Sequence, residues 1–441
     1  MHLFDFFSTY LLPNIDLYFK VLLIVALIYL IIYKMFCVNI EDMITLIFPY
    51  LGVVFSTAIV TFLFILKIIE YKYFINFLTT TIVFYSIIIF FSNKFKKIYK
   101  CRKKEHAYSN GKSVFIFSLL CIIFFIILQY MRIEIIGART AVTKGSGTGI
   151  IIRLLTVFSP IAFFSFLYIM FYGNSKQRII IFPLFVIPYI YFSLQGISKS
   201  AFIGILINLY IFLLLNIGNK KVQVTVKKLT IPLLFFGVLG GIIIVILLTS
   251  TGFIQAVSIL LQRFVAFGDV YIYAYINKNI DNFEQVSFLK YLFSDGLRTF
   301  RLVDISYVND VEIPGKLMNM VYGAGTTGGP NPRFNIVGYA FFGFFGSILF
   351  SVFCAVLFVI VRCIFLGSIN GSFQKQLFGF FLFKNLQEIE QAGSAPSQFV
   401  ATFVLFFIFY CFFDLCINFC KPINKDIFFE KKRIVLCENN T

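Results

Sequence analysis

The sequence predicts an all-α polytopic membrane protein with about eleven transmembrane helices, within a range of ten to twelve, and one long loop on the outer face. Three observations predict it. Of the 441 residues, 60% are hydrophobic and 13% are charged. A soluble core of this length cannot hide so much apolar surface, whereas lipid covers it. The apolar residues come in runs close to the roughly 20 that a bilayer core requires. Most of the positive charge, +18 net, lies in short connections between those runs, as the positive-inside bias expects.

The runs, in order, are Asp16–Tyr33, Met43–Leu66, Tyr73–Ser92, Ser113–Met131, Ile150–Tyr172, Ile179–Gln195, Ala201–Ile217, Leu229–Ser250, Ile336–Val361 and Gln398–Cys420. A weaker run, Phe373–Glu390, carries Lys375, Lys384 and Gln387 and reads as a short or re-entrant helix. Orientation follows from Lys and Arg. The stretch Lys94–Lys104 holds seven of them and belongs inside. Alternation then puts Lys112, Lys176, Arg178, Lys220, Lys221, Lys227, Lys228, Arg362 and the basic tail from Lys421 to Arg433 inside as well. That scheme requires Phe373–Glu390 to cross and sets the N-terminus outside. Residues 1–441 read as a single integral membrane domain, because no soluble stretch is long enough for another. Met1–Lys20 has Asp5, Asp16 and no basic start, unlike a cleaved signal peptide. The nine cysteines show no CxxC or metal-type spacing and suit reduced thiols. No basic face of a nucleic-acid module is present, so nucleic acid is not a partner.

The outer face receives a first loop, 132–149, a short turn, Gly196–Ser200, and a long loop, 251–335. The long loop is balanced, with seven basic and seven acidic residues, unlike the basic inner segments. Within it, Ile254, Val257, Leu260, Leu261, Phe264 and Phe267 recur at helical spacing, followed by Tyr271, Tyr273 and Tyr275. This pattern predicts an amphipathic interfacial helix over Phe253–Ile276, with its tyrosines at headgroup depth and membrane lipid as its partner. The loop ends in Tyr322–Pro332, too rich in Gly and Pro for regular structure.

Signatures of soluble chemistry are missing. There is no Walker lysine loop and no GxSxG elbow. Gly323–Gly328 matches GxGxxG by letter, but it runs into Gly329-Pro-Asn-Pro332 and not into a helix. No Asp-x-Asp pair signals a metal–nucleotide site, and the histidines, His2 and His106, lie outside the outer loops. The outer face offers arginine, lysine and carboxylate instead: Arg139, Arg153 just inside a span, Lys199, Arg263, Arg298, Arg301 and Arg333. Arginine forks match phosphate oxygens bidentately. Their plain alternative is interfacial snorkelling, weakest for Arg153, since a charge within a span faces a polar interior. Asp414 lies in a span with Lys421 on the same face and reads as structural.

The stretch Gly328-Gly-Pro-Asn-Pro-Arg-Phe334, then Gly338-Tyr339 and Phe342-Gly-Phe-Phe-Gly346, resembles the end of the long periplasmic loop in O-antigen polymerases of the Wzy type. The Gly196–Ser200 turn resembles their Gly-Ser-Arg stretch, with Lys199 at the basic position. The family's paired Arg and Gly, ten residues between them, are matched by Arg139 with Gly149 and Arg333 with Gly343, each one residue closer. The motifs cover about 25 residues; the layout covers the whole chain. The resemblance implies a metal-independent, cofactor-free glycosyltransferase, multi-pass in a bacterial inner (cytoplasmic) membrane, that polymerises undecaprenyl-diphosphate-linked repeat units at the periplasmic face. The departing diphosphate needs positive charge, expected from Arg139, Arg153 and Arg333, with Lys199 and Arg263 behind them. The acceptor hydroxyl needs a base, expected from Asp269 or Asp304. A chain-length regulator is implied as a partner. The competing reading is a polysaccharide-unit flippase or other transporter, which predicts repeated halves with broken helices. A related ligase would carry a histidine in the long loop, and none is there.

Overall fold

A computed structural model describes residues 3–103, 112–136, 148–195, 201–249, 252, 266–282, 287–299, 302–303, 313–322, 333–391 and 400–411. Among them 91% are helical and none forms a strand. Six helices are long and apolar enough to cross a membrane: Phe7–Phe36, Ile47–Ile65, Tyr71–Lys103, Lys112–Arg132, Arg153–Tyr172 and Phe334–Gly367. The chain is a helical, membrane-embedded protein.

After a short helix Leu3–Phe6 (α1) come Ile15–Phe36 (α2), Ile40–Thr45 (α3), Ile47–Ile65 (α4), Tyr71–Phe90 (α5) and Ser92–Lys103 (α6). The predicted run Met43–Leu66 is thus divided at Leu46. The next helices are Lys112–Ile136 (α7), Thr148–Tyr172 (α8), Ser175–Gln195 (α9), Ala201–Leu215 (α10) and Lys220–Thr249 (α11). Two short helices, Asp269–Tyr275 (α12) and Phe288–Thr299 (α13), precede Ile313–Tyr322 (α14). Phe334–Gly367 (α15), Phe373–Gln391 (α16) and Val400–Cys411 (α17) complete the bundle. Ile65, Tyr71 and Gly343 mark its upper end; Phe36 and Arg362 mark its lower end.

The expected span Ile336–Val361 does not run straight. Gly343 has φ 67° and ψ −166°, a region essentially restricted to glycine. In a straight helix Gly338 and Ser347 would stand about 13 Å apart. A Cβ on Gly338 would instead meet the Ser347 Cα at 3.0 Å, and the rings of Phe342 and Phe350 are 5.8 Å apart. The chain therefore rises from Phe334, reverses at Gly343 and descends to Gly367. The descending arm alone is about 36 Å long. Asn76 of α5 stitches the reversal: its Nδ2 donates to the Phe344 carbonyl at 3.1 Å and to Ser347 Oγ at 2.6 Å, fixing the first turn of the descending arm to α5. Below it, Ser351 Oγ donates to the Thr80 carbonyl. Gly343→Ala is expected to cost about 1–3 kcal/mol, read as a lower unfolding temperature in detergent.

The stretch predicted as an interfacial helix is also corrected. Residues 253–265 lie outside the described residues. From Ala266 the chain forms a 3-10 turn, α12 and a second 3-10 run, Ile276–Asn282. Tyr271, Tyr273 and Tyr275 are buried among the helices and do not face lipid headgroups. Apolar neighbours explain this: Tyr271 packs edge-on against Phe77, and Tyr275 stacks on Tyr73 at 5.0 Å.

Phe373–Gln391, the weakest run by composition, is a continuous helix. It lies antiparallel to α15, with Phe365 stacked on Phe383 at 4.0 Å. It is also antiparallel to α17, since Phe381 meets Phe406 at 3.7 Å and Phe378 meets Tyr410 at 5.3 Å. A Cβ at Gly379 would collide with Ser368, so that glycine permits the close approach. Arg362, expected in a loop, lies inside α15 and is fully buried.

Candidate functional site

Two half-helices begin deep in the bundle, with their N-terminal tips together against α4, and rise to the upper end. One is α12, entered through Phe267-Gly268. The other is the rising arm of α15, entered through Arg333. Levels follow from helical rise: Gly52 on α4 and Phe84 on α5 each stand about 20 Å below the upper ends of their helices. Phe334 stacks on Phe84 at 4.6 Å, and the Arg333 head lies against Gly52. Arg333 is therefore deep in the bundle and not on a surface loop, as the sequence suggests.

Each tip is seated by a small residue. A Cβ on Gly52 would stand 2.5 Å from Arg333 Nη2 and 3.2 Å from Nη1. A Cβ on Gly268 would meet Ile59 at 2.6 Å and the Ser56 Cα at 3.2 Å. Ser56 Oγ lies 2.7 Å from the Gly52 carbonyl and 3.1 Å from the Phe267 carbonyl, sharing its one proton between them. That same Phe267 carbonyl accepts from Arg333 Nη2 at 3.4 Å. Asn335 Oδ1 accepts from the Tyr271 hydroxyl at 2.7 Å, a further tie between the half-helices.

Arg333 is 3% exposed. Its Nε and Nη1 meet no acceptor among the described residues. A buried cation with donors left unpaired is costly, and an ionisable group inside a membrane bundle marks a functional position. The helix dipole of the rising arm adds positive potential at the same point. The arrangement can hold an anion with oxygen acceptors, such as a phosphate ester.

Of the residues expected to act together, Arg333 and Asp269 belong to the two half-helices that meet at the Phe267 carbonyl. Asp269 opens α12 two positions after Phe267 and is partly exposed. Arg153 is half-buried in the second turn of α8, where its carbonyl accepts from Thr156 Oγ1. Arg139, Lys199, Arg263, Asp304 and Asp414 lie outside the described residues. No group of three or more His, Cys, Asp or Glu suited to a metal occurs among the described residues.

The chain matches no family model, no curated protein and no solved structure.

The upper ends of both half-helices are fastened by Asp281. Its Oδ2 accepts from Lys72 Nζ and from the Tyr73 hydroxyl, each at 2.6 Å, and its Oδ1 accepts from the Tyr339 hydroxyl at 3.1 Å. Glu70 extends the network to Lys278 at 2.5 Å and to Lys72 at 3.5 Å. Partial burial would raise the Asp281 carboxyl. The hydrogen bonds from Lys72 and Tyr73 outweigh it and hold the group below its ordinary 3.8. Glu70 is likewise held below 4.5, chiefly by its bond to Lys278. A carboxylate depressed by folding stabilises the fold fully above its unfolded value, and that contribution is lost as pH falls through the lower folded value. The fastening therefore weakens below about pH 4 and is intact at neutral pH. Asp281→Asn is expected to release it at neutral pH, at about 1 kcal/mol for a solvent-screened network. Faster tryptic cleavage after Lys278 would read this out.

Neither Gly52 nor Ser56 was legible as part of a site. The signal was present, since Gly52-Val-Val-Phe-Ser56 is the small-xxx-small spacing that lets membrane helices approach closely.

Proposed function

We propose that this protein is a membrane glycosyltransferase that polymerises undecaprenyl-diphosphate-linked oligosaccharide repeat units into O-antigen or a related surface polysaccharide. Arg333 carries the reading: a buried guanidinium with Nε and Nη1 unpartnered among the described residues, at the N-terminus of a half-helix. In this reading Nε and Nη1 take the diphosphate oxygens and stabilise the leaving group as the glycosidic bond to it breaks. Asp269, on the facing half-helix, takes the acceptor hydroxyl proton. The resemblance of Gly328–Gly346 to the Wzy-type motif supports the choice of chemistry, because Arg333 and Gly343 of that motif prove to be the deep tip and the reversal of one hairpin.

Orientation follows from charge. The exposed Lys94, Lys97, Lys100 and Lys103 of α6 gather at the lower end, which is cytoplasmic by the positive-inside bias. The upper end is then periplasmic, and about eleven crossings fit the alternation. Undecaprenyl-linked glycans and membrane lipid are the partners, with a chain-length regulator implied by the family.

The re-entrant half-helices favour a second reading, a transporter of the same lipid-linked units, because broken helices with N-termini at a buried anion site recur in transporters. One experiment separates the two. The purified protein in detergent is incubated with undecaprenyl-diphosphate-linked repeat units, and the products are sized. Polymerisation lengthens the glycan without any sealed bilayer. Transport leaves its length unchanged in detergent and moves the unit across sealed vesicles.

A further inference from the structure

Helix α13 takes no part in the site above. One side of it packs on the hairpin: the Phe288 ring is 5.0 Å from Phe342 and 5.6 Å from Phe350, and Tyr291 is 4.8 Å from Phe341. These partners flank the reversal at Gly343, so α13 lies across the upper tip of the hairpin. The opposite side carries Leu289 and Phe293, one turn apart, 64% and 48% exposed. Lys290 is exposed at their border.

The arm that leaves the reversal carries a second apolar side. On the descending arm of α15, Phe345, Leu349 and Phe353 are 81%, 73% and 60% exposed. This arm belongs to a helix long and apolar enough to cross a membrane, so acyl chains cover its stripe. Leu289 and Phe293 stand on the helix packed at the reversal, where that stripe begins. A helix tolerates such a position because its backbone groups are paired internally. A lysine beside an apolar face reaches headgroup phosphates by extending its stem along the lipid. We propose that α13 is an in-plane membrane helix, seated in the leaflet at the upper end. Leu289 and Phe293 lie among the acyl chains and Lys290 at the headgroups. This assignment does not depend on the catalytic reading.

The chain has no tryptophan, so a single introduced indole reports its own surroundings. Phe293→Trp and, separately, Leu289→Trp are reconstituted in phosphatidylcholine vesicles with brominated acyl chains. Leu349→Trp serves as the lipid-facing reference and Asn282→Trp, at an exposed position after Asp281, as the aqueous one. The expected result is blue-shifted emission, with bromine quenching in both α13 variants close to that of Leu349→Trp and little quenching by iodide. Iodide quenching like that of Asn282→Trp would overturn the proposal in favour of a water-facing helix. Protection from both quenchers would overturn it in favour of a covering protein surface.

Discussion

Arg333→Ala is expected to lower repeat-unit polymerisation by about 10²-fold or more, since removing a single oxyanion donor already costs 10²–10³-fold. It should do so at an unchanged level of protein in the membrane. The stability result is as informative as the activity. Arg333 is 3% exposed, with Nε and Nη1 lacking acceptors among the described residues, so its charge is costly to the fold. Removing it should leave the unfolding temperature in detergent unchanged or raised. A structural arginine would behave in the opposite way, losing stability and activity together. Arg333→Lys keeps the charge but loses the fork, and should also be impaired. Product sizing beside thermal unfolding checks all three statements. Normal chain lengths in Arg333→Ala would remove the proposed anion site.

The largest loss of stability is expected at the other end of the bundle. Arg362 and Asp42 form an ion pair with both side chains fully buried. Asp42 also accepts from the Val38 amide at 2.8 Å, and its own amide donates to Asn39 Oδ1 at 2.8 Å. Arg362 lies over the Phe36 and Phe95 rings at 5.5 Å and 5.1 Å. The pair thus joins α2, α3, α6 and α15 at one point. Removing one partner strands a buried charge, and Arg362→Ala or Asp42→Ala is expected to cost about 3–5 kcal/mol. Replacing both with apolar residues should recover much of that, because Arg362 Nε and Nη1 and Asp42 Oδ1 lack partners among the described residues. Detergent unfolding of the two single variants and of Arg362→Met with Asp42→Leu tests this. A double variant no more stable than either single one would contradict the account.

The contrast between the two arginines explains much of what sequence reading reached and missed. In the sequence both are basic residues near the end of an apolar run. Arg362 was read as an inner connection because charge ends a hydropathy window, yet Asp42, 320 positions away, lets it stay inside a helix. The sequence singles out Arg333 as a candidate, but as part of a surface loop. Its depth depends on the turn at Gly343, and a glycine in an apolar run signals a straight span as readily as a reversal. Phe253–Ile276 shows the same limit from the other side. An amphipathic pattern ending in tyrosines fits a membrane interface or the interior of a bundle equally well. The rings of Phe77 and Tyr73 decided for the interior.

What the sequence determined by itself is the solvent: apolar runs of bilayer length, with lysines gathered between them, permit helices in a membrane and little else, because unpaired backbone groups cannot be left in lipid. It also proposes a chemical type for the site, since the outer loops carry arginines and no histidine. The tertiary structure alone decided where that chemistry sits. Gly343 reverses the chain, Gly52 and Gly268 leave room for two helix tips against α4, and Asn76 ties the start of the descending arm to α5. The contacts at Gly52, Gly268 and Asn76 join residues far apart in the chain, and local periodicity carries no record of them.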